Sequence, residues 1–321
     1  MGIKVLTSIT SFPFSRRVYF VIGTHGGIFH SDDVVAVATL CLLHRDKYIV
    51  VVRSRDTEVL DKCDILVDIG GGEFDHHIPG FNLARDNGIP YASAGLVWKE
   101  FGEKVVLKFL EEHNLLEILS EDCSNIVSTI DKEIMQFVDA EDNGIVSGSH
   151  CMDFVSIYLP EWYESNPNFE EQFDKVLSTA LSRLEQNIRQ VIAQTYANIL
   201  IQKRIAAPEY FSNHILEIPS QTTPWLDLLC DINHDHDTPY IFFVIFPYPA
   251  GGWAAQCVPP SFAEPFKQLV PFPKAWAGQT EYLPEISGVS DATFCHNNCF
   301  FVRAKSKEGV IQMCELAMKQ I

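Results

Sequence analysis

Residues 18–43, VYFVIGTHGGIFHSDDVVAVATLCLL, decide the fold that we predict for this chain. Val18–Ile22 is a short, β-prone apolar run that ends at Gly23, which predicts a buried strand. Ser31 can then cap a helix whose apolar residues, beginning with Val34, recur at helical spacing. A strand followed directly by a helix is the first half of a βαβ unit.

The same alternation continues after this stretch. Ile49–Val52 is a second strand candidate, Thr57–Cys63 is a short helix, and Ile65–Val67 is a third strand that ends at Asp68. Strands that alternate with helices predict a mainly parallel sheet with helices on its faces. Ligands of such sheets bind beyond the carboxyl ends of the strands. We therefore expect His25 and Asp68, which follow the first and third strands, to lie at one edge of the sheet.

The rest of the chain predicts more helices and then a second, smaller α/β domain. Helices are predicted over Ser93–Phe101, Lys104–Leu119, Lys132–Val138 and, as the longest, Asn168–Arg204. After Pro208, β-prone runs and a last helix are predicted over His214–Ile218, Tyr240–Phe246, Phe294–Val302 and Glu308–Met318. The predicted domains are residues 1–167 and 208–321, joined by a long connecting helix over 168–207.

The composition is that of a globular protein. The chain has 321 residues, of which 47% are hydrophobic and 21% charged. No apolar run reaches the roughly 18 residues that suggest a membrane span. A net charge of −18 argues against a face for extended duplex DNA, although a metal can hold a short oligonucleotide or nucleotide.

The compartment that we predict is the cytoplasm. Nine cysteines without a CxxC pair favour a reduced, intracellular protein. Residues 1–31 contain no acidic residue and include Lys4, Arg16 and Arg17, traits that a mitochondrial presequence shares. A mitochondrial or nuclear location therefore stays an alternative.

Histidines and aspartates cluster at four places in the first half of the chain. The clusters are His25-Gly-Gly-Ile-Phe-His30-Ser-Asp32-Asp33, Asp68-Ile-Gly-Gly-Gly72, Asp75-His76-His77 and Asp139-Ala-Glu-Asp142-Asn-Gly144. Imidazole and carboxylate groups suit Mn, Fe and Zn. Taken singly, several of these aspartates also suit a helix start or a turn. Their order and placement favour a metal site, because three His and at least three Asp can hold two divalent ions.

These clusters resemble the motifs of the DHH phosphoesterase superfamily and, within it, those of the melanocyte proliferating gene 1 family. That family is known for metal-dependent 3′–5′ RNA exonucleases. The resembling stretches are Ile22–Asp32, Val52–Asp56, Cys63–Gly71, Asp75–His77, Ser93–Leu96, Asp139–Gly144, Trp253–Pro259, Pro273–Gly278, Ile286–Val289 and Ala292–Asn297. The resemblance implies a two-domain, DHH-phosphoesterase-like fold with a catalytic first domain and a substrate-binding second domain.

The resemblance also implies a role for each clustered residue. The implied metal ligands are His25, His30, Asp32, Asp68, His76 and Asp142, with Asp139 as the alternative to Asp142. Asp68 would bridge the ions, Asp75 would orient His76, and His77 would contact the scissile phosphate, which makes Asp68, Asp75 and His77 the catalytic residues. His30 stands where many superfamily members carry Asp. Further candidates for substrate contact are His296, Arg55 and Arg303.

The implied function is phosphodiester hydrolysis of RNA or a short oligonucleotide by a hydroxide that bridges two metal ions, with Mn²⁺ favoured and Mg²⁺, Fe²⁺ or Zn²⁺ as alternatives. The chain departs from the family pattern after His77, where Ile78–Phe81 replaces a longer stretch that begins Gln-Arg and Arg85 is the next basic residue. Phe300–Arg303 likewise replaces a glycine-containing run. These departures keep two alternatives open: a pyrophosphatase or small phosphoanhydride hydrolase, and a non-catalytic metal-binding module. Assembly into a homo-oligomer also stays open.

Overall fold

The structure, a computed structural model, describes residues 3–6, 19–145, 152–234 and 240–320. The chain divides into two compact units, Met1–Ile192 and Ala193–Ile321. Among the described residues, no helix is both long enough and apolar enough to cross a membrane. The predicted domain limits at residues 167 and 207 stay predictions.

A four-stranded parallel sheet forms the centre of the first unit. Its strands are β1 (Ile3–Leu6), β2 (Tyr19–Thr24), β3 (Tyr48–Arg53) and β4 (Ile65–Leu66), in the spatial order β1-β3-β2-β4. Most residues of β2 and β3 are buried, as the near-continuous apolar runs of parallel strands require. The prediction of an α/β fold with a parallel sheet is therefore confirmed.

Strand β1 was not predicted, because the first strand that the sequence predicts begins at Val18. It pairs in parallel with β3, so that Ile3 lies opposite Ile49. A run of four residues carries no sequence signal for a partner that lies more than forty residues away. The pairing is fixed by tertiary context.

The helices of the first unit follow the predicted alternation with the strands. They are α1 (Ser31–Leu43), α2 (Thr57–Leu60), α3 (Ser93–Glu112), α4 (Leu116–Leu119), α5 (Cys123–Ile130) and α6 (Gln136–Asp142). A π-helical turn, Asp131–Met135, joins α5 to α6, and a 3₁₀ helix covers Asp153–Tyr158. Every residue of α1 is buried, and α1 packs against α3.

Helix α3 is continuous where the sequence predicts two helices, Ser93–Phe101 and Lys104–Leu119. The predicted gap includes Gly102, where a Cβ atom would lie 2.8 Å from the ring of Trp98. This glycine therefore allows close packing inside the helix and does not end it. The helix ends at Glu112, and Asn114 then adopts the left-handed conformation, with φ 56°, that is common after helix ends.

Helix α7 (Phe169–Ile205) lies where the sequence predicts the longest helix, and the boundary between the two units falls within it. Its apolar stripe is buried, as shown by Phe173, Leu184 and Ile188. The periodic pattern alone was sufficient to predict this helix.

The second unit contains a six-stranded mixed sheet. Its strands are β5 (Phe211–Ser212), β6 (Ile215–Glu217), β7 (Phe243–Pro247), β8 (Trp253–Cys257), β9 (Ala292–Cys295) and β10 (Phe301–Ala304), in the order β5-β6-β7-β8-β10-β9. The helices are α8 (Leu226–His234), α9 (Leu283–Ser287) and α10 (Lys307–Met318), with a 3₁₀ turn at Lys274–Trp276.

The single β-prone run predicted over Phe294–Val302 is a hairpin. It contains the end of β9, a turn and the start of β10, and the two strands pair antiparallel. The turn forms because the N–H of Cys299 donates to the carbonyl of His296 at 2.8 Å, with Cys299 at φ 56°. The polar residues between the apolar ones mark this turn.

Candidate metal centre

Side chains from several elements converge beyond the carboxyl ends of the parallel strands. His25 follows β2, and Asp68 follows β4. The first turn of α1 contributes Asp32, the loop after β4 contributes His76, and the end of α6 contributes Asp142. His25 and Asp68 therefore lie at the same edge of the sheet, as the order of strands and helices in the sequence predicts.

Asp68 lies at the centre of this cluster, and its two carboxylate oxygens face different histidines. Oδ2 lies 3.2 Å from His25 Nε2, and Oδ1 lies 3.3 Å from His76 Nε2 and 3.1 Å from His77 Nδ1. The backbone of Asp68 has φ 58°, a left-handed conformation that is uncommon outside glycine and that costs energy. A carboxylate in this position is suited to bridge two cations.

Four buried polar atoms of the cluster lack a hydrogen-bond partner in the part of the chain that the structure describes. One is His76 Nε2, although three carboxylate oxygens lie between 3.1 and 3.8 Å from it. The others are His25 Nδ1, Asp32 Oδ1 and Asp33 Oδ2. Buried polar atoms normally have partners. Unpartnered His and Asp atoms in one place fit the donor set of a divalent metal ion.

Three overlapping groups of residues each bring ligand atoms within 4.8 Å of one another. These groups are His25-His30-Asp68, Asp68-His76-His77 and His30-Asp32-Asp142. Asp68 and His30 each belong to two groups, so the groups form one continuous centre. The donors present are therefore enough for more than one ion.

Burial and charge control the protonation of this cluster. Burial raises the pKa of Asp32 well above its usual value, and neighbouring carboxylates raise it further. Burial also raises the pKa of Asp33, to about 6. For Asp68, burial acts in the same direction, but its contacts with His25 and His76 outweigh burial and lower its pKa. Bound cations would relieve the repulsion among these carboxylates.

The histidines respond to the same carboxylate. Burial alone would lower the pKa of His25 and of His76, but close contact with Asp68 outweighs burial and raises both. A metal ion needs neutral imidazole, so protons and metal ions compete for these two side chains.

The N-terminus of α3 faces the carboxylates. The backbone N–H of Ser93 donates to Asp32 Oδ2 at 3.4 Å, and its hydroxyl donates to Asp68 Oδ1 at 3.1 Å. The partial positive charge of a helix N-terminus stabilises carboxylates. The role of Ser93 was not predicted from the sequence, although this residue begins the resembling stretch Ser93–Leu96.

The motif spacing leaves open whether Asp139 or Asp142 is a metal ligand. In the structure, these two side chains have different partners. Asp139 is fully buried and accepts hydrogen bonds from Arg85 Nη1 at 2.7 Å and from the N–H of Gly95 at 2.9 Å. Asp142 Oδ2 instead lies 3.1 Å from His76 Nε2. Of the two, Asp142 lies among the candidate ligands, whereas Asp139 forms an ion pair with Arg85.

Asp75 contacts His77, whereas the resemblance implies that it orients His76. Its Oδ1 lies 3.2 Å from His77 Nδ1 and accepts the N–H of His77 at 3.0 Å. Its Oδ2 accepts the N–H of Gly71 at 2.8 Å, which closes the loop after β4. The side chain of His77 is 64% exposed, so a ligand can reach it from solvent.

A buried arginine that the sequence analysis missed supports the loop after β2. Arg53, at the end of β3, donates from Nη2 to the carbonyl of Gly27 at 2.7 Å, and its guanidinium lies 4.4 Å from the ring centroid of Phe173. The sequence feature that could have identified Arg53 is its position at the end of an apolar strand. Arg55, the predicted phosphate contact, is exposed in the following segment.

The remaining predicted substrate contacts, His296 and Arg303, are half-buried in the second unit. His296 Nδ1 accepts the N–H of Asn298 at 3.1 Å. The guanidinium of Arg303 lies 3.9 Å from the ring centroid of Tyr248.

Comparison with known proteins identifies the family. The family model MYG1_exonuc, described as an uncharacterised protein family (UPF0160), matches residues 21–318. The chain belongs to the MYG1 family. This confirms the family resemblance found in the sequence, whereas membership of the DHH superfamily stays a prediction.

MYG1 relatives align over most of this chain. The chain is 30% identical to the MYG1 exonuclease of Homo sapiens over 93% of this chain and 86% of that protein. It is 31% identical to the MYG1 exonuclease of Bos taurus, over 93% of this chain and 84% of that protein. A MYG1 protein of Schizosaccharomyces pombe is 29% identical over 92% of this chain and 97% of that protein.

Proposed function

We propose that this MYG1-family protein is a metal-dependent phosphodiesterase that acts as a 3′–5′ exonuclease on RNA or short oligonucleotides. Relatives from Homo sapiens and Bos taurus are named MYG1 exonuclease, which supports a nuclease-like function. The metal dependence, the substrate and the direction of cleavage are the parts that we add.

The observation that carries the proposal is the position of Asp68, with His25 at one carboxylate oxygen and His76 at the other. We assign the role of metal ligands to His25, His30, Asp32, Asp68, His76 and Asp142, and the preferred ion is Mn²⁺. Two divalent ions in such a centre would supply an activated water and neutralise phosphate charge, a recurrent device for phosphoester hydrolysis.

The protein's own residues would hold the reacting groups in place. Asp68 would join the two halves of the centre, and Ser93 fixes its carboxylate by donating to Oδ1 at 3.1 Å. Asp75 orients His77 through the contact between Oδ1 and Nδ1 at 3.2 Å. His77 is exposed and next to Asp68, so it is suited to donate a hydrogen bond to a phosphate oxygen.

The charge of the chain supports a short substrate. With 42 acidic and 24 basic residues, the surface repels long polyanions. A single-stranded end needs contact with few phosphates, and bound metal ions offset their charge. This favours removal of nucleotides from an end over binding along a duplex.

The test is an assay on short single-stranded RNA labelled at the 5′ or the 3′ end, with Mn²⁺ or EDTA. We expect Mn²⁺-dependent release of mononucleotides from the 3′ end. His76→Ala should lower the rate by at least ~100-fold, the scale of losing a group that holds a catalytic metal. The matched control is His113→Ala, because His113 is an exposed histidine at the end of α3.

Equal rates of RNA hydrolysis by the wild-type protein and His76→Ala, or no hydrolysis of RNA with Mn²⁺, would refute the proposal. Pyrophosphate and a dinucleoside pyrophosphate belong in the same experiment. Faster turnover of either than of RNA would favour the phosphoanhydride hydrolase that the sequence leaves open.

A further inference from the structure

The second unit contains a cavity of about 360 Å³ beside the paired strands β8, β10 and β9. The charged residues that line it are both cationic, Arg303 and Lys305, and Thr280 and Thr293 add hydroxyl groups. Among the described residues, no carboxylate lines it. A cationic lining is notable in a chain with a net charge of −18.

Arg303 is the central cation of this cavity. Its guanidinium carbon lies 3.9 Å from the ring centroid of Tyr248, and its buried Nε has no hydrogen-bond partner within the described ranges. No acidic side chain of the described residues forms an ion pair with it. A guanidinium group presents several N–H donors in a planar fork that suits carboxylate and phosphate oxygens. The free donors of Arg303 therefore point to an anionic ligand.

A β-bulge in β9 shapes the part of the lining next to Arg303. Arg303 of β10 pairs with Phe294, and the next residue of β10 pairs with Ala292, so Thr293 is the extra residue on β9. Bulges redirect side chains, and here both Thr293 and Phe294 line the cavity.

The turn before β8 closes one side. Gly252 has φ 77°, and a Cβ atom there would lie 2.5 Å from the carbonyl oxygen of Ala304. Only glycine allows the turn to approach β10 this closely. The close approach brings Gly252 into the lining of the cavity.

We propose that this cavity binds a mononucleotide, with Arg303 and Lys305 at its phosphate and Phe294 against its base. The volume is at the lower end of the ~300–1,000 Å³ of small-molecule sites, and it exceeds what inorganic phosphate alone would fill. The inference deepens and rests on the proposed function, because a mononucleotide is the product that an exonuclease releases. Binding at this cavity needs no metal ion.

The experiment is calorimetric titration of the full chain with AMP, inorganic phosphate or adenosine, in EDTA. We expect AMP to bind more tightly than either other compound. Arg303→Gln should weaken AMP binding by ~10- to 100-fold, the scale of a charge-assisted hydrogen bond. Lys305→Gln should weaken it severalfold. Lys319→Gln, which removes an exposed cation elsewhere in this unit, should change it less than twofold.

Four outcomes would overturn the inference: no binding of AMP in EDTA, unchanged affinity in Arg303→Gln, adenosine as tight as AMP, or inorganic phosphate as tight as AMP. Lys305 is exposed, so Lys305→Gln replaces Arg303→Gln as the test variant if Arg303→Gln does not fold. In that case, an unchanged affinity of Lys305→Gln for AMP overturns the inference. If AMP binds as expected but RNA is not hydrolysed with Mn²⁺, the proposed function fails and this site stands.

Discussion

Replacing Arg85 by methionine should strongly destabilise the first unit, because this guanidinium neutralises two carboxylates beside α6. Nε and Nη2 donate to Asp131 at 2.8 and 2.6 Å, and Nη1 donates to Asp139 at 2.7 Å. The side chain of Arg85 is 7% exposed and that of Asp139 is 0% exposed. Methionine keeps much of the apolar stem but removes the charge and all donors.

The magnitude follows from the burial of Asp139. Removing one partner of a buried ion pair costs about 3–5 kcal/mol, because the other charge stays buried without compensation. Loss of the contact with Asp131, which is 24% exposed, adds up to about 1 kcal/mol. The expected loss in free energy of unfolding is therefore about 3–6 kcal/mol, a large part of the stability of an ordinary domain.

The pH dependence has a defined sign. Burial raises the pKa of Asp139 to about 7, and Arg85 opposes that rise. Without Arg85 the folded-state pKa rises further above the unfolded value. A raised carboxyl pKa contributes stability below the unfolded pKa, and that stability is lost as pH rises through the folded pKa. The loss in Arg85→Met should therefore be larger at pH 8.5 than at pH 6.

The assay is urea-induced unfolding followed by circular dichroism and tryptophan fluorescence. Lys99→Met is the matched control, because Lys99 is an exposed cation over the ring of Tyr91, and it should change stability by less than about 0.5 kcal/mol. The double variant Arg85→Met/Asp139→Asn should recover about 2 kcal/mol, since the buried charge is gone. A loss below about 1 kcal/mol in Arg85→Met, or simple additivity in the double variant, would refute the reasoning.

Three further predictions concern packing, acid sensitivity and metal binding. Gly95→Ala should cost at least about 2 kcal/mol in urea unfolding, because its Cβ would lie 1.9 Å from Asp139 Oδ2; Gly72→Ala, with no atom within 4 Å, should cost little, and equal effects would contradict this. Burial and nearby lysines lower the pKa of His44 to about 4, so stability is lost as pH falls from about 6.5 towards 4. His44→Phe should narrow the gap between the urea midpoints at pH 7 and pH 5, and an unchanged gap would count against this. In thermal unfolding, Mn²⁺ at ~100 times its dissociation constant should add about 2.7 kcal/mol to the free energy of unfolding, and EDTA should remove this gain. A thermal midpoint that neither Mn²⁺ nor EDTA changes would contradict a metal site.

The repeating strand and helix pattern of the first unit could be predicted because local signals agree there. Apolar runs end at Gly23 and Asp68, and α1 begins where Ser31 follows a glycine-containing loop. Parallel strand ends meet at one edge, so the gathering of His25 and Asp68 followed from the topology alone.

The parts that could not be predicted depend on contacts between distant residues. Arg85 and Asp131 are 46 positions apart, and the same guanidinium donates to Asp139, which forms an ion pair there and is not among the candidate ligands. Similarly, the partner of Asp75 depends on the fold of a tight loop, in which Asp75 contacts His77 while His76 contacts Asp142. Motif spacing has no information about which side of a helix or loop the tertiary packing will bury.

If Asp68 joins two metal sites, the number of Mn²⁺ ions bound per chain will depend on this carboxylate. We would titrate the metal-free protein with Mn²⁺ by calorimetry and count the metal retained after gel filtration by elemental analysis. Asp61→Asn, at an exposed aspartate after α2, is the matched control for Asp68→Asn. We expect two Mn²⁺ ions per chain in the wild-type protein and in Asp61→Asn, and loss of tight binding at both sites in Asp68→Asn. Fewer than two ions in the wild-type protein, or two retained in Asp68→Asn, would contradict it.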